Sequence, residues 1–500
     1  GFESRHPLGA GHAASRWNGR EARQGTANPC TRVQIPFPPL QQMKTVDWRS
    51  WLARFLDMEE VTGSSPVSTT ITSSSLTDEA HEMNTPAKPA GPWSPLTSPA
   101  FRALWIATVV SNLGTWMQTV GSQWLVIDEP NAATWVALIQ TAMTLPIALF
   151  AFPAGIFADS HDRRRMLIVV QIFQICISTI LATWVIRGGI PPLALVLLTF
   201  ALGFGQSLTH TPYASSINEL VPRHQLPMAA ALGGVSTNIG RAIGPALAGF
   251  AIALYGTGLV FVLNALSFVW FLIALLRWKR TTPAPRAAKT TLREASAQTW
   301  EFVKTSRQMQ NLMIRVSWFA IPAQAIWAML PIFANKQLGA DSGEYGVLLA
   351  MLGLGSVVAA ATIPGLRRLL GSNRLIGWGF FAYSMVTLAM IPTTSFAFAI
   401  VLMLAAGFGW IAVLSGLSGP VQLHLPADLR ARGLATYLVV QFGCNAAGAF
   451  LWGQVTQHSS LKVSLAVAAA LMFVGVGLTH WRPIHDDDLV DEEPANSTGF

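Results

Sequence analysis

The chain has 500 residues, 51% of them apolar and only 12% charged, with a mean hydropathy of +0.42. Soluble proteins carry about 25% charged residues, so this composition excludes a water-soluble globule and points to lipid as the solvent. The formal net charge of +8 would suit a nucleic-acid partner, but the basic residues of the apolar region fall in alternate short loops, a pattern of membrane topology.

Residues 1–82 are polar, rich in Ser, Thr and Arg, and lack an apolar run of spanning length, so they are expected to be disordered. Gly1-Phe2-Glu3-Ser4-Arg5 resembles the translated T-arm of a transfer RNA gene, and Gly63-Ser64-Ser65-Pro66-Val67 resembles the same arm in another frame. The segment is therefore expected to stem from translation upstream of the true start, with Met83 as initiator and residues 83–100 as a cytoplasmic N-terminal segment. No stretch combines a charged start, an apolar centre and a small-residue cleavage site, so a signal peptide is not expected.

Twelve apolar segments follow from Phe101, near 101–125, 134–157, 166–187, 190–213, 228–254, 257–277, 312–335, 344–367, 374–394, 396–418, 432–456 and 462–481. Runs of about 20 apolar residues with few charges have the length of a transmembrane helix. Arg163, Arg164 and Arg165 follow the second span, Arg223 the fourth, Arg367, Arg368 and Arg374 the eighth, and Arg430 and Arg432 the tenth. The opposite loops hold Asp128, Glu129, Asp341 and Glu344, with few basic residues, chiefly Arg187, Lys336 and Lys462. By the positive-inside rule both termini are expected in the cytoplasm. So is the linker 278–311, because the stretch from Arg277 to Arg307 carries eight Lys or Arg against two Glu. Its helical stretch from Thr291 to Met309 suits a helix on the membrane surface or a solvated tether. Residues 482–500 read as a disordered acidic tail.

The segments 101–277 and 312–481 read as one six-helix unit used twice. A shift of 204 positions places Pro222 on Pro426, Gly244 on Gly448 and Gly249 on Gly453, and a shift of about 210 places Gly155 on Gly365. Parallel repeats of this kind mark a two-bundle transporter whose substrate site lies between the halves near the midplane. The expected class is an all-α polytopic membrane protein with twelve transmembrane helices in two pseudo-symmetric six-helix bundles.

The loop after the second span reads Gly155-Ile156-Phe157-Ala158-Asp159-Ser160-His161-Asp162-Arg163-Arg164-Arg165. It resembles the G-x-x-x-D-R-x-G-R-R signature of the major facilitator superfamily, with Ser160 where a basic residue is usual and Asp162 where glycine is usual. The fifth span contains Gly240-Arg241-Ala242-Ile243-Gly244-Pro245-Ala246-Leu247-Ala248-Gly249, which resembles the superfamily's exporter motif G-x-x-x-G-P-x-x-G-G, with Ala248 as the one departure. Small residues allow close helix packing, and Pro245 removes a backbone donor and permits a bend. Leu96 to Trp105 and the turn Glu219-Leu220-Val221-Pro222 resemble the enterobactin-exporter branch, the transmembrane secretion effectors.

That resemblance implies the major facilitator fold and alternating access. It implies export of a small amphipathic molecule, such as a siderophore, drug or metabolite, across a bacterial inner membrane, energised by the proton gradient and without a cofactor. It also implies a cytoplasmic gate built from Gly155, Asp159, Arg163 and Arg164, and an exporter motif built from Gly240, Arg241, Gly244, Pro245 and Gly249. Import of a small metabolite on the same fold is the alternative.

Independently of resemblance, a guanidinium well inside a span costs a few kcal/mol unless it faces water or a partner, so Arg241 is expected to point into the bundle. Further polar residues within spans include Asn112, Thr115, Gln118, Thr119 and Gln123 in the first, Gln206, Thr209 and His210 in the fourth, Asn238 in the fifth, Gln324 in the seventh, and Gln441 and Asn445 in the eleventh. They are candidates for the substrate cavity, with interhelical hydrogen bonding as the competing role. No carboxylate falls clearly at mid-membrane, and neither H-E-x-x-H nor a G-x-x-x-x-G-K-[ST] sequence occurs, which argues against an enzyme and against direct use of ATP. Cys30, Cys176 and Cys444 are too few and too dispersed for a metal site or disulfide scaffold. The expected partners are a small-molecule substrate and the lipid bilayer, with no nucleic acid, and the expected state is a monomer.

Overall fold

The computed structural model describes residues 91–160, 162–278, 301, 303–424 and 427–481, with side chains undescribed at 152, 155–160, 308, 420–424, 427–432 and 478–481. The expected disordered head, most of the linker and the acidic tail lie outside the described residues. Twelve long helices follow in order. They are α1 (Pro99–Leu125), α2 (Ala132–Ser160), α3 (Arg163–Ile186), α4 (Pro192–Leu220), α5 (Leu226–Tyr255), α6 (Gly258–Arg277), α7 (Arg307–Ile332), α8 (Ser342–Leu370), α9 (Ser372–Met390), α10 (Phe396–His424), α11 (Ala427–His458) and α12 (Leu461–Trp481). No strand occurs among the described residues.

Local chemistry sets the helix ends. Ser98 caps α1 by accepting from the Phe101 backbone N–H, and Pro99 stands at the first helical position, where its missing donor costs nothing. Asp162, in the place of the usual loop glycine, caps α3 by accepting from the Arg165 N–H at 2.9 Å. Asp341 and Glu344 bond reciprocally in a capping box that opens α8. Helix α7 begins at Arg307, inside the expected linker, because Ser306 accepts from the Met309 N–H at 3.2 Å. Gly371, at φ 76°, turns the α8–α9 corner in a region that a side chain would strain.

Among the described residues, eight helices are long and apolar enough to cross a bilayer on composition alone; α1, α5 and α9 are not among them. The packing shows why these three are less apolar: α1 buries Gln118, Thr119, Ser122 and Gln123, α5 buries Gly240, Gly244 and Gly249, and α9 buries Ser384 and Thr387, all against neighbouring helices rather than lipid. On the outside, Val169, Leu197, Phe250, Trp378 and Leu369 are each more than half exposed, an apolar surface suited to acyl chains.

The two halves repeat each other contact for contact. Helix α1 packs on α5 and α6, α2 on α4, and α3 on α4 and α6. Helix α7 packs on α11 and α12, α8 on α10, and α9 on α10 and α12, so each pairing recurs six helices later. The halves meet through α2–α11 and α5–α8, which the same rule interchanges. Glycines from the 204-position repeat make equivalent close approaches. A Cβ on Gly244 would lie 2.7 Å from Trp116 Cβ and 3.2 Å from the Leu113 carbonyl oxygen, and one on Gly448 would lie 3.1 Å from Gln324 Cβ and 2.5 Å from the Ile321 carbonyl oxygen. Within the halves, indole N–H groups pin helices together: Trp105 donates to Leu232 O and Trp318 to Leu471 O, both at 2.8 Å. Bonds of this kind contribute about 0.6 kcal/mol each in a membrane.

Candidate functional site

The two ends of the bundle are built differently. One end carries Arg163, Arg164, Arg165, Arg223, Arg277, Arg367 and Arg368, and the other the α1–α2, α5–α6, α7–α8 and α11–α12 connections. At this second end the halves are in tight contact. Between α5 and α8, a Cβ on Gly249 would lie 2.6 Å from Ser342 O, and one on Gly353 would lie 2.6 Å from Arg241 O. Between α2 and α11, Thr141 Oγ1 donates to Ala446 O at 3.2 Å, a Cβ on Gly453 would strike Ala137, and Gln457 Nε2 donates to Asn131 Oδ1 at 2.8 Å. Between α1 and α8, the Tyr345 hydroxyl donates to Gln123 Oε1 at 2.5 Å, and the Tyr345 ring stacks on Trp124 at 5.7 Å. Gln123 in turn donates to Gln140 Oε1 at 3.1 Å. With Tyr345 only 1% exposed and Gln123 2%, this seal excludes water.

Beyond the seal, a Cβ on Gly443 of α11 would still meet Ala148 of α2 at 3.8 Å, an ordinary contact, while Gly233 and Gly234 on α5 and Gly365 on α8 have open space at their Cβ positions. The halves are thus tightly joined opposite the basic residues, and the side chains at 155–160 and 420–432, beside the basic end, lie outside the described residues.

Where the seal ends, Arg241 of α5 places its guanidinium carbon 5.8 Å from the centroid of the Trp116 ring on α1, within cation–π range. Its Nε and Nη1 are buried with no acceptor. A charge in mid-span costs about 2.5–3.5 kcal/mol, and one aromatic face offsets only part of that. Trp116 lies 6.1 Å from Trp327 of α7, and Trp327 lies 5.4 Å from Trp410 of α10, so an aromatic file crosses from one half to the other. Trp327 Nε1, Gln324 Oε1 and Asn445 Oδ1 are also buried without partners.

The remaining polar residues of the spans divide by what they touch. Asn112 donates to Ser236 Oγ of α5 at 2.9 Å, and Gln118 accepts from Asn264 of α6; both join neighbouring helices of one half. Thr115 and Thr119 return their hydroxyls to the carbonyls of Ser111 and Thr115, each at 2.9 Å, while Thr119 also meets Met143 Sδ. Gln206 and Asn238 are half-buried, His210 is exposed near the basic end of α4, and Gln441 is buried on the same helix as Asn445. Ser236, Asn264, Gln140 and Tyr345, which complete these contacts, count among the polar residues of the spans that the sequence reading left out. So does Arg315 of α7, 2% exposed, which donates to Asn373 Oδ1 of α9 at 3.0 Å. Its signal was available as a second arginine inside an apolar run.

Helix α2 runs through the expected loop to Ser160 and so contains Gly155 and Asp159, whose side-chain surroundings lie outside the described residues. Arg163 and Arg164 are described, and both tie α3 to its own half. Arg163 Nη1 meets Glu219 Oε1 at 3.4 Å and Ser215 O at 3.3 Å, and Arg164 donates to Leu275 O and Leu276 O at 2.9 and 3.0 Å. Among the described residues no cluster of three or more His, Cys, Asp or Glu could hold a metal ion.

Comparison with known proteins places this geometry. The family described as transmembrane secretion effector matches residues 90–499. The enterobactin exporter of Escherichia coli K12 is 25% identical over 418 residues, covering 77% of this chain and 94% of the exporter. The staphyloferrin A transporter of Staphylococcus aureus is 23% identical over 284 residues, 56% of this chain and 70% of that protein. Among solved structures, a bacterial homologue of the human lysosomal transporter Spinster, inward-facing and occupied, superposes with a TM-score of 0.63 at 14% identity, covering 77% of this chain and 97% of that one. The nucleoside transporter NupG superposes with a TM-score of 0.61 at 13% identity, covering 76% and 98%. At such identities the structural likeness speaks for the fold alone.

Proposed function

The chain belongs to the transmembrane secretion effector family of the major facilitator superfamily, a family of transporters and not of enzymes, and from that membership we propose that it exports a small amphipathic molecule by alternating access. The substrate is a siderophore, drug or metabolite, the membrane is the bacterial inner membrane, the working unit is a monomer, and the proton gradient supplies the energy. The observation that carries the reading is the pair of equivalent interfaces, α2–α11 and α5–α8, that join the two halves tightly opposite the basic residues and that alternating access would open and close. With the basic end in the cytoplasm, as the positive-inside rule assigns, the seal faces outward, as it must in the state in which an exporter loads. The opposite state must lie within a few kcal/mol for the cycle to run. A seal made of a few interhelical hydrogen bonds at about 0.6 kcal/mol each is weak enough to open. The outward direction is supported by the Gly240–Gly249 motif and by the exporter among the relatives.

The test is accumulation of fluorescent amphipathic compounds and siderophores in cells lacking and overproducing the chain, with and without a protonophore. Lower accumulation, reversed by the protonophore, is expected. Higher accumulation would turn the protein into an importer.

Gly155, Asp159, Arg163 and Arg164 are proposed as the gate that closes the basic end in the other half of the cycle. A carboxylate at a helix N-terminus contributes about 0.3–2 kcal/mol, enough to bias a reversible closure. Asp159→Asn is expected to raise cysteine labelling from the cytoplasmic side and lower it from the outer side; identical labelling would remove Asp159 from the gate.

A further inference from the structure

Midway along the spans, equivalent positions of the two halves carry different chemistry. The 204-position repeat takes Arg241 to Asn445. The glycine contacts take Trp116 to Gln324, since Gly244 packs on Leu113 and Trp116 as Gly448 packs on Ile321 and Gln324. One half therefore presents a guanidinium on an indole face, and the other presents two neutral amides. Gln324 and Asn445 are 2% and 4% exposed, and each keeps a carbonyl oxygen without a donor. Trp327, one turn beyond Gln324, bridges the halves through its 6.1 Å contact with Trp116 and keeps its indole N–H without an acceptor.

Resting on the export reading, we propose that these residues form the substrate site and that its ligand is a planar organic anion. The charged oxygen of the ligand lies against the Arg241 guanidinium and the Trp327 N–H, its ring packs among Trp116, Trp327 and Trp410, and a hydrogen-bond donor on it meets Gln324 and Asn445. Three facts converge on an anion. Arg241 Nε and Nη1 have no acceptor, the nearby indole N–H has none, and the described carboxylates Asp128, Glu129, Asp162, Glu219, Glu301, Asp341 and Glu344 all stand at helix ends or in connections. A buried guanidinium binds a carboxylate by charge-assisted hydrogen bonds, and indoles pack on a second ring in offset or edge geometry. A cationic ligand would meet like charge with no carboxylate to receive it.

The experiment is equilibrium dialysis of the full chain in lipid nanodiscs, with empty nanodiscs as the blank for partition into lipid. The probes are 1-naphthoate, 1-naphthalenemethanol, 1-naphthylmethylammonium and cyclohexanecarboxylate, which separate charge sign from ring. The wild-type chain is expected to bind 1-naphthoate about tenfold or more tightly than each of the other three. Arg241→Gln is expected to erase the preference over the alcohol, Arg241→Lys to keep part of it, and Trp327→Leu to weaken 1-naphthoate towards cyclohexanecarboxylate. Equal or tighter binding of the neutral or cationic probe to the wild-type chain would overturn the proposal, as would unchanged selectivity in Arg241→Gln. Should that variant fail to insert, the ranking of the four probes on the wild-type chain decides alone. The export reading fails separately: binding of 1-naphthoate without outward flux in cells would sink export and leave the site, and outward flux without any anion preference would sink the site and leave export.

Discussion

Gly353→Leu is expected to abolish transport while leaving membrane insertion intact. A Cβ there would lie 2.6 Å from Arg241 O and 2.7 Å from Ala242 Cα, backbone atoms of the facing helix that cannot rotate away. Overpacking costs about 1–3 kcal/mol where side chains can adjust. Against backbone the upper end applies, so the closed form of this end should lose roughly 100-fold in population relative to the open form. Net flux falls with it, because each turnover must pass through the closed form. The readout that separates this from misfolding is labelling of a single cysteine at Ser342, which should rise from the non-basic side. A graded companion is Tyr345→Phe, which removes the 2.5 Å bond to Gln123 Oε1 but keeps the stack on Trp124. Losing one such bond costs about 0.6 kcal/mol in a membrane, so a labelling shift of roughly threefold is expected. A Gly353→Leu protein that transports normally would mean that α5 and α8 never approach this closely in the working cycle.

Arg241→Ala is expected to reduce flux by about 10- to 100-fold, the loss of one or two charge-assisted hydrogen bonds to substrate. Insertion should not suffer, because an arginine in mid-span opposes insertion by about 2.5–3.5 kcal/mol and alanine does not. Arg241→Lys should recover part of the flux, since the charge returns without the planar fork. Asn445→Ala, at the equivalent place in the other half, removes only a neutral acceptor and should cost less. Flux measured in inverted vesicles alongside the amount of inserted protein checks all three. If Arg241→Ala transports as the wild type does, Arg241 is only a cation–π pin between α1 and α5.

Particular residues show how far the sequence reached. The shift that pairs Gly244 with Gly448 anticipated two glycines in the same contact, because a helix crossing that tight tolerates little else and so leaves a mark in one-dimensional spacing. The burial of Arg241 was legible too, since a charge in an apolar run is costly anywhere but the interior. Asn112 and Gln118 could not be told from Gln324 and Asn445 on the same grounds. All four are polar residues in spans, yet the first two are bonded to Ser236 and Asn264 and the last two retain free carbonyls. Asp162 is a further case: in the sequence it is a departure from the loop signature, standing where glycine is usual, and in the structure it caps α3.

By itself the sequence determined the number and order of the helices, the basic end, the twofold repeat and the small-residue motif. Lipid imposes these through local quantities: the length of an apolar run, the charge of a loop and the size of a side chain. Only the tertiary structure decided that the non-basic end is closed, that Tyr345 meets Gln123, and that Arg241, Trp116 and Trp327 stand in one file across the halves. Those contacts join residues distant in the chain and depend on how each helix is rotated about its axis. Helices surrounded by lipid gain no hydrophobic energy from one rotation over another, so steric fit and hydrogen bonding between neighbours set it.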